Sequence, residues 1–210
     1  MFICHYTESN QQWSDQELAD KLVLLPQKLQ QQALKKRLWI DRQLSIAGKL
    51  LALQTLKKLG CSPNLSDLKY NVYKRPYFDG CPDFNIAHSG NIVICCATDK
   101  GQAGIDIEQV KEIDLSDYPD YFTPNEWNKI NSAPIPYEGF YDIWTRKEAV
   151  LKAIGTGFHT PLSSVDVSGD SLIYDDITYH IKSLAIHIDY KCHIATTESQ
   201  TDIRLTRLDI

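Results

Sequence analysis

A chain of 210 residues, 43% hydrophobic and 23% charged, is long enough for one large or two small folded domains and too apolar to stay disordered. Its formal net charge of -5 and pI of about 5.6 argue against a general nucleic-acid binder, which carries an extended basic surface. The one dense basic stretch, Lys35-Lys36-Arg37 followed by Arg42, suffices for a phosphate group but not for a duplex.

Met1–Tyr6 has no basic segment followed by an apolar one, so it does not read as a secretory leader. Ser14 and Glu17 have capping-box spacing, and Leu18, Leu22 and Leu25 form an apolar stripe, which predicts a first helix ending at Pro26. Helical periodicity then runs from about Gln27 to Leu59, with a break expected near Trp39–Asp41 and a stop at Gly60. Tyr70, Val72 and Tyr73 suggest a strand closed by Arg75-Pro76. Phe84–Gly90 reads as a strand entering a turn, Ile92–Ala97 as a buried strand and Gly104–Glu108 as another. Thr123-Pro124-Asn125-Glu126 announces a helix, and a second runs from about Glu138 to Ile154. Beyond Pro161 the chain reads as short strands at 165–167, 172–174, 177–181, 186–188 and 192–195, those after about Ser168 completing a second sheet. Helices followed by strands occur twice, which predicts an α+β protein of two halves, 1–101 and 102–210. No apolar run approaches the roughly 18 residues of a membrane span. The six cysteines are scattered without C-x-x-C spacing. They read as reduced thiols of a cytoplasmic protein, with no structural zinc site.

Four groups of residues are candidates for chemistry. Asp106 and Glu108 alternate with Ile105 and Ile107, so on a strand both carboxylates share one face. Two such carboxylates repel unless a cation lies between them, and oxygen ligands suit magnesium. The ordinary alternative is the acidic solvent face of a half-buried strand. Glu148 and Lys152 stand four apart on one helix face, as a base or metal ligand beside a phosphate-binding cation or as a common surface pair. His88 and Ser89 lie in a turn that can meet a phosphate or merely satisfy a carbonyl. Lys36, Arg37, Arg42 and the more distant Arg75 can grip phosphate or form a solvated basic face.

Taken in order, Phe84–Gly90, Gly104–Glu108 and Trp144–Lys152 resemble the signature of the Sfp-type 4'-phosphopantetheinyl transferases. That signature is an N-I-S-H-S-like turn, a G-I-D-I-E strand and a W-x-x-K-E-x-x-x-K helix. Arg75-Pro76 and the segment Tyr121-Phe122 to Glu126 match flanking features, so the resemblance is close over about residues 75–158. It implies two similar α/β halves related by a pseudo-twofold axis, with the active site in the cleft between them, in a chain that acts as a monomer. It implies transfer of the 4'-phosphopantetheine group of coenzyme A to a serine of an apo acyl or peptidyl carrier protein, releasing 3',5'-ADP. Carried over by position, Asp106, Glu108 and Glu148 are the ligands of magnesium, with manganese as the alternative. Glu148 activates the serine hydroxyl, Lys152 neutralises the pyrophosphate and Asp106 completes the catalytic set. His88, Ser89 and Arg75 hold the coenzyme, and Lys36, Arg37 or Arg42 reaches its 3'-phosphate. Ala87 stands where relatives often have serine, Arg75 where lysine is commoner and Gln109 where a basic residue is frequent. Two rival readings are a metal-dependent phosphodiesterase or nuclease, and a non-catalytic module that binds coenzyme A or a carrier.

Overall fold

The computed structural model describes residues 1–156, 160–199 and 202–210. The last two residues of the stretch that carries the resemblance, 157 and 158, lie outside these. The chain forms two compact units. One comprises Met1–Asp99 with Asp202–Ile210, and the other is Lys100–Thr201.

The first unit begins with β1 (Phe2–Glu8), a strand the sequence reading did not single out. Next come α1 (Asp15–Leu22), with Ser14 and Glu17 closing a reciprocal capping box, and α2 (Gln27–Leu34), entered through Pro26. Then α3 (Trp39–Lys58) ends at Gly60, whose φ of 81° is the left-handed conformation that glycine adopts without a Cβ penalty. The break in the helical pattern therefore falls at residues 35–38, just before Trp39 rather than within 39–41. β2 (Lys69–Tyr70) and β3 (Pro76–Tyr77) form a short hairpin, so Pro76 opens a strand instead of closing one. Proline is tolerated there because the first residue of an edge strand need not donate. β4 (Asp83–Ser89) and β5 (Ile92–Thr98) follow as an antiparallel pair, and every residue of β5 is buried. The helix α3 packs over β5, β1 and β4.

The second unit contains β6 (Ala103–Gln109), α4 (Pro124–Ser132), α5 (Pro136–Ile154), β7 (Ser171–Tyr174), β8 (Ile177–Ser183) and β9 (Tyr190–Thr196). α4 starts with a Thr123–Glu126 capping box, and α5 ends at Gly155 with φ 83°. Residues 165–167 and 186–188 are not strands, despite their β-branched residues. Val165 and Val167 are buried as loop residues against the α4 and α5 core, while Ile188 is 90% exposed. Both units use one plan. A strand, a long helix and two further strands give a sheet in the order first, last, middle: β1-β5-β4 in one, β6-β9-β8 in the other, the latter extended by β7.

The final strand, β10 (Ile203–Arg207), was not read from the sequence; it joins the first sheet, pairing in parallel with β1. Its alternation half-buries Ile203 and Leu205, and Leu208 and Ile210 beyond it pack on the first unit's core. A correction concerns the cysteines. Cys61 and Cys81, with Cα atoms 6.0 Å apart, form a disulfide that closes the loop carrying the β2–β3 hairpin. Cys4, Cys95, Cys96 and Cys192 are buried free thiols, as expected of all six. Among the described residues no helix is long and apolar enough to cross a membrane.

Candidate active site

The site is built on β6 and α5 of the second unit. Gly104 is where the two meet. A Cβ there would lie 2.0 Å from the carbonyl oxygen of Ala149 and 2.4 Å from the amide nitrogen of Ala153, so only glycine lets the helix approach this closely. Strand alternation then puts Gly104, Asp106 and Glu108 on the face toward α5, and Ile105 and Ile107 on the other, fully buried. Asp106 is only 5% exposed, which rules out the acidic solvent face as its explanation.

From the helix, Glu148 and Lys152 meet this face. Lys152 Nζ donates to Asp106 Oδ1 at 2.6 Å, with 27% of the lysine side chain exposed. Burial raises the pKa of Asp106 despite that partner. Burial acts to lower that of Lys152, but Asp106, Glu148 and Glu108 outweigh it and the net shift is upward. Burial first, then the negative charge of Asp106, pushes Glu148 up to about 7, against the opposing pull of Lys152 and with Glu108 adding to the rise. Glu148 therefore feels both other carboxylates, and the one ammonium does not cancel their effect.

Two atoms show what the arrangement lacks. Asp106 Oδ2 and Glu148 Oε1 are both buried without a hydrogen-bond partner. A buried carboxylate oxygen without a donor is costly, and a divalent cation would supply an interaction to each. Among the described residues no group of three or more His, Cys, Asp or Glu side chains is assembled to hold a metal ion, so the expected three-carboxylate cage is not preformed. Magnesium needs only one or two carboxylates, its remaining positions going to water and substrate phosphates. The Asp106–Glu148 pair fits that requirement.

These shifts have a measurable sign. Glu148 titrates near its ordinary value when unfolded and near 7 when folded. Its contribution therefore favours the folded state at low pH and is lost as pH rises from about 4.5 to about 7. Without divalent ions, Glu148→Gln is expected to be more stable than the parent above pH 7, by on the order of 2 kcal/mol, with the difference vanishing near pH 4. Urea denaturation across this range measures it, and a pH-independent difference would contradict the assignment.

His193, cross-strand from Asp106, occupies the same face one turn along α5. Thr145 Oγ1 donates to the Tyr141 carbonyl at 2.7 Å, so it accepts from His193 Nδ1, 2.8 Å away. Burial pushes the His193 pKa down to about 4. Beneath the site, Lys147 and Glu126 form a fully buried ion pair at 2.8 Å. Glu126 also accepts from the amides of Thr123 and Val167, and Lys147 donates to the carbonyls of Leu162 and Val165. The pair thus ties α4, α5 and the 162–167 segment together. The sequence carried the signal, because Lys147 falls in the apolar stripe Ile143, Val150, Leu151 and Ile154 of α5.

The remaining candidates lie in the first unit. Arg75 grips Asp83 with Nη2, 2.9 and 2.7 Å from its two oxygens, and reaches the Phe84 carbonyl at 3.4 Å. Its position is set by Asn71, whose Oδ1 accepts from the amides of Tyr73 and Arg75, each at 2.9 Å. His88 and Ser89 end β4, with the His88 side chain exposed. Lys36 and Arg37 are exposed, whereas Arg42 is half-buried and donates to the Lys36 carbonyl at 3.3 Å.

Comparison with known proteins sets this geometry in context. A family model described as the 4'-phosphopantetheinyl transferase superfamily matches residues 102–204, which include β6, α5 and all four acidic and basic site residues. The "4'-phosphopantetheinyl transferase gsp" of Aneurinibacillus migulanus is 31% identical over 182 residues, covering 81% of this chain and 76% of that protein. The "4'-phosphopantetheinyl transferase Sfp" of Bacillus subtilis strain 168 is 36% identical over 108 residues, 49% of this chain and 48% of that protein. The "L-aminoadipate-semialdehyde dehydrogenase-phosphopantetheinyl transferase" of Schizosaccharomyces pombe is 32% identical over 139 residues, 56% of this chain and 54% of that protein. The alignment thus spans about half the length of the latter two. The chain belongs to the 4'-phosphopantetheinyl transferase superfamily and is an enzyme of that class.

Proposed function

We propose that the protein transfers the 4'-phosphopantetheine group of coenzyme A to a serine hydroxyl of an apo carrier protein, with a magnesium ion held by Asp106 and Glu148 and completed by Glu108. The observation that carries this reading is the pair of buried, unpartnered carboxylate oxygens beside Lys152. When bound, the cation stabilises negative charge on the pyrophosphate. The serine oxygen attacks the β-phosphorus, the bond from that phosphorus to the bridging oxygen breaks, and 3',5'-ADP leaves with the electron pair. Glu148, with a proton affinity near neutrality, accepts the hydroxyl proton. Lys152 stays protonated and opposes the charge that develops on the leaving diphosphate oxygen. His88, Ser89 and Arg75, with Lys36 and Arg42, anchor the coenzyme's phosphates. Arg75 keeps its carboxylate partner Asp83, which holds the guanidinium plane in place.

The test is an incubation with coenzyme A, magnesium and an apo carrier protein, followed by intact-mass measurement of the carrier. Gain of one phosphopantetheine group is expected. An unchanged carrier mass together with cleavage of added nucleic acid would favour a hydrolase instead.

A further inference from the structure

The paired cysteines differ from the free ones in what can reach them. Cys4, Cys95 and Cys96 are buried thiols that burial pushes far above the usual thiol range, and Cys192 is buried as well. Cys61 and Cys81 are only half-buried. They line a recess of about 500 Å³ with Ser62, Ser66, Lys69 and Asp79, which is wide and polar enough to admit a small thiol. A disulfide reached from solvent is of the labile kind, unlike one sealed in a core.

The bond fastens the segment 62–80. Cys61 follows α3 and Cys81 precedes β4, so the two sulfurs join the roots of that segment. Within it Leu65 and Phe78 alone are buried. β2 and β3 form a two-stranded sheet of their own, and such a hairpin is marginal without further support. Arg75 lies on this segment and grips Asp83, two residues beyond Cys81. The disulfide and the Arg75–Asp83 pair therefore fix one corner of the unit. Opening the first leaves the hairpin held by the second and by its two buried side chains.

We propose that Cys61 and Cys81 form a reversible switch, set by a dithiol reductant, whose reduction loosens residues 62–80 and weakens the hold of Arg75 on the coenzyme phosphates. The consequence for the coenzyme rests on the reading above; the sulfur chemistry does not. One thiolate of the reductant attacks one Sγ, the Sγ–Sγ bond breaks, and the departing cysteine takes the electron pair and a proton. The second thiolate then displaces the other cysteine and closes the reductant's own disulfide, so two electrons and two protons pass to the protein.

The experiment compares the full chain after mild oxidation with diamide and after reduction with dithiothreitol, beside the double variant Cys61→Ser with Cys81→Ser. Iodoacetamide labelling of the folded protein is expected to mark Cys61 and Cys81 after reduction only, and labelling of both before reduction would overturn the pair. Amide exchange of residues 69–78 should quicken by at least about tenfold on reduction, and should be fast in the double variant whatever the reductant. Exchange that ignores reduction would overturn the switch. Calorimetric affinity for 3',5'-ADP, which carries no thiol of its own, should fall about tenfold on reduction of the parent, the scale of one charge-assisted hydrogen bond. The double variant should bind as the reduced parent does. Equal affinity in the two redox forms would overturn the link to the coenzyme. Failure of both forms to bind 3',5'-ADP, with exchange still answering to reduction, would sink the coenzyme reading and support the sulfur chemistry.

Discussion

Asp106→Ala is expected to lower kcat for phosphopantetheine transfer by at least about a hundredfold to a thousandfold, the scale for removing a preorganised electrostatic contact. The folded structure should survive, because the change removes a buried charge whose pKa is raised by burial. It also strips Lys152 of its 2.6 Å partner, so the lysine pKa should drop. Asp106→Asn is the sharper control. It keeps the shape and one acceptor for Lys152 but lacks the charge a cation needs. If the metal role dominates, Asn fails as badly as Ala. If Asp106 merely holds Lys152, Asn retains most activity. Steady-state kinetics with carrier and coenzyme varied separately distinguish the two, since a positioning defect falls mainly on KM and a charge defect on kcat.

The second large effect concerns stability. Lys147→Ala leaves Glu126 buried, charged and deprived of its ammonium, and is expected to cost about 3–5 kcal/mol. Glu126→Ala should be as severe. It leaves Lys147 without its counter-ion and removes the acceptor for the Thr123 and Val167 amides. The double substitution Glu126→Gln with Lys147→Met should recover part of the loss, since no charge is then stranded. Chemical denaturation of the three variants measures this, and additive losses in the double variant would show that the two side chains do not act as a pair.

Much of the site was legible because strand and helix periods are strict. The alternation of Ile105, Asp106, Ile107 and Glu108 fixed which side chains share a face, and the four-residue spacing of Glu148 and Lys152 fixed theirs. What periodicity does not say is which face is covered. Asp106 is buried because Gly104 lets α5 settle on the strand, a contact with Ala149, far along the chain. Helix ends at Ser14, Thr123, Gly60 and Gly155 were readable from local capping chemistry. Long-range pairings were not. β10 joins β1 across nearly the whole chain, and nothing local to Ile203–Arg207 names its partner. Cys61 and Cys81 are likewise brought together only by the folded hairpin segment between them.

The central claim is that Asp106 and Glu148 are built to share a divalent cation, and thermal melting at pH 8 with and without magnesium tests it without relying on turnover. Magnesium should raise the melting temperature of the parent protein, because it binds the folded state and compensates the carboxylate that burial, and then the charge of Asp106, lifts to about 7. Asp106→Asn and Glu148→Gln should each lose that response. A parent protein indifferent to magnesium, or variants that respond as the parent does, would contradict the account.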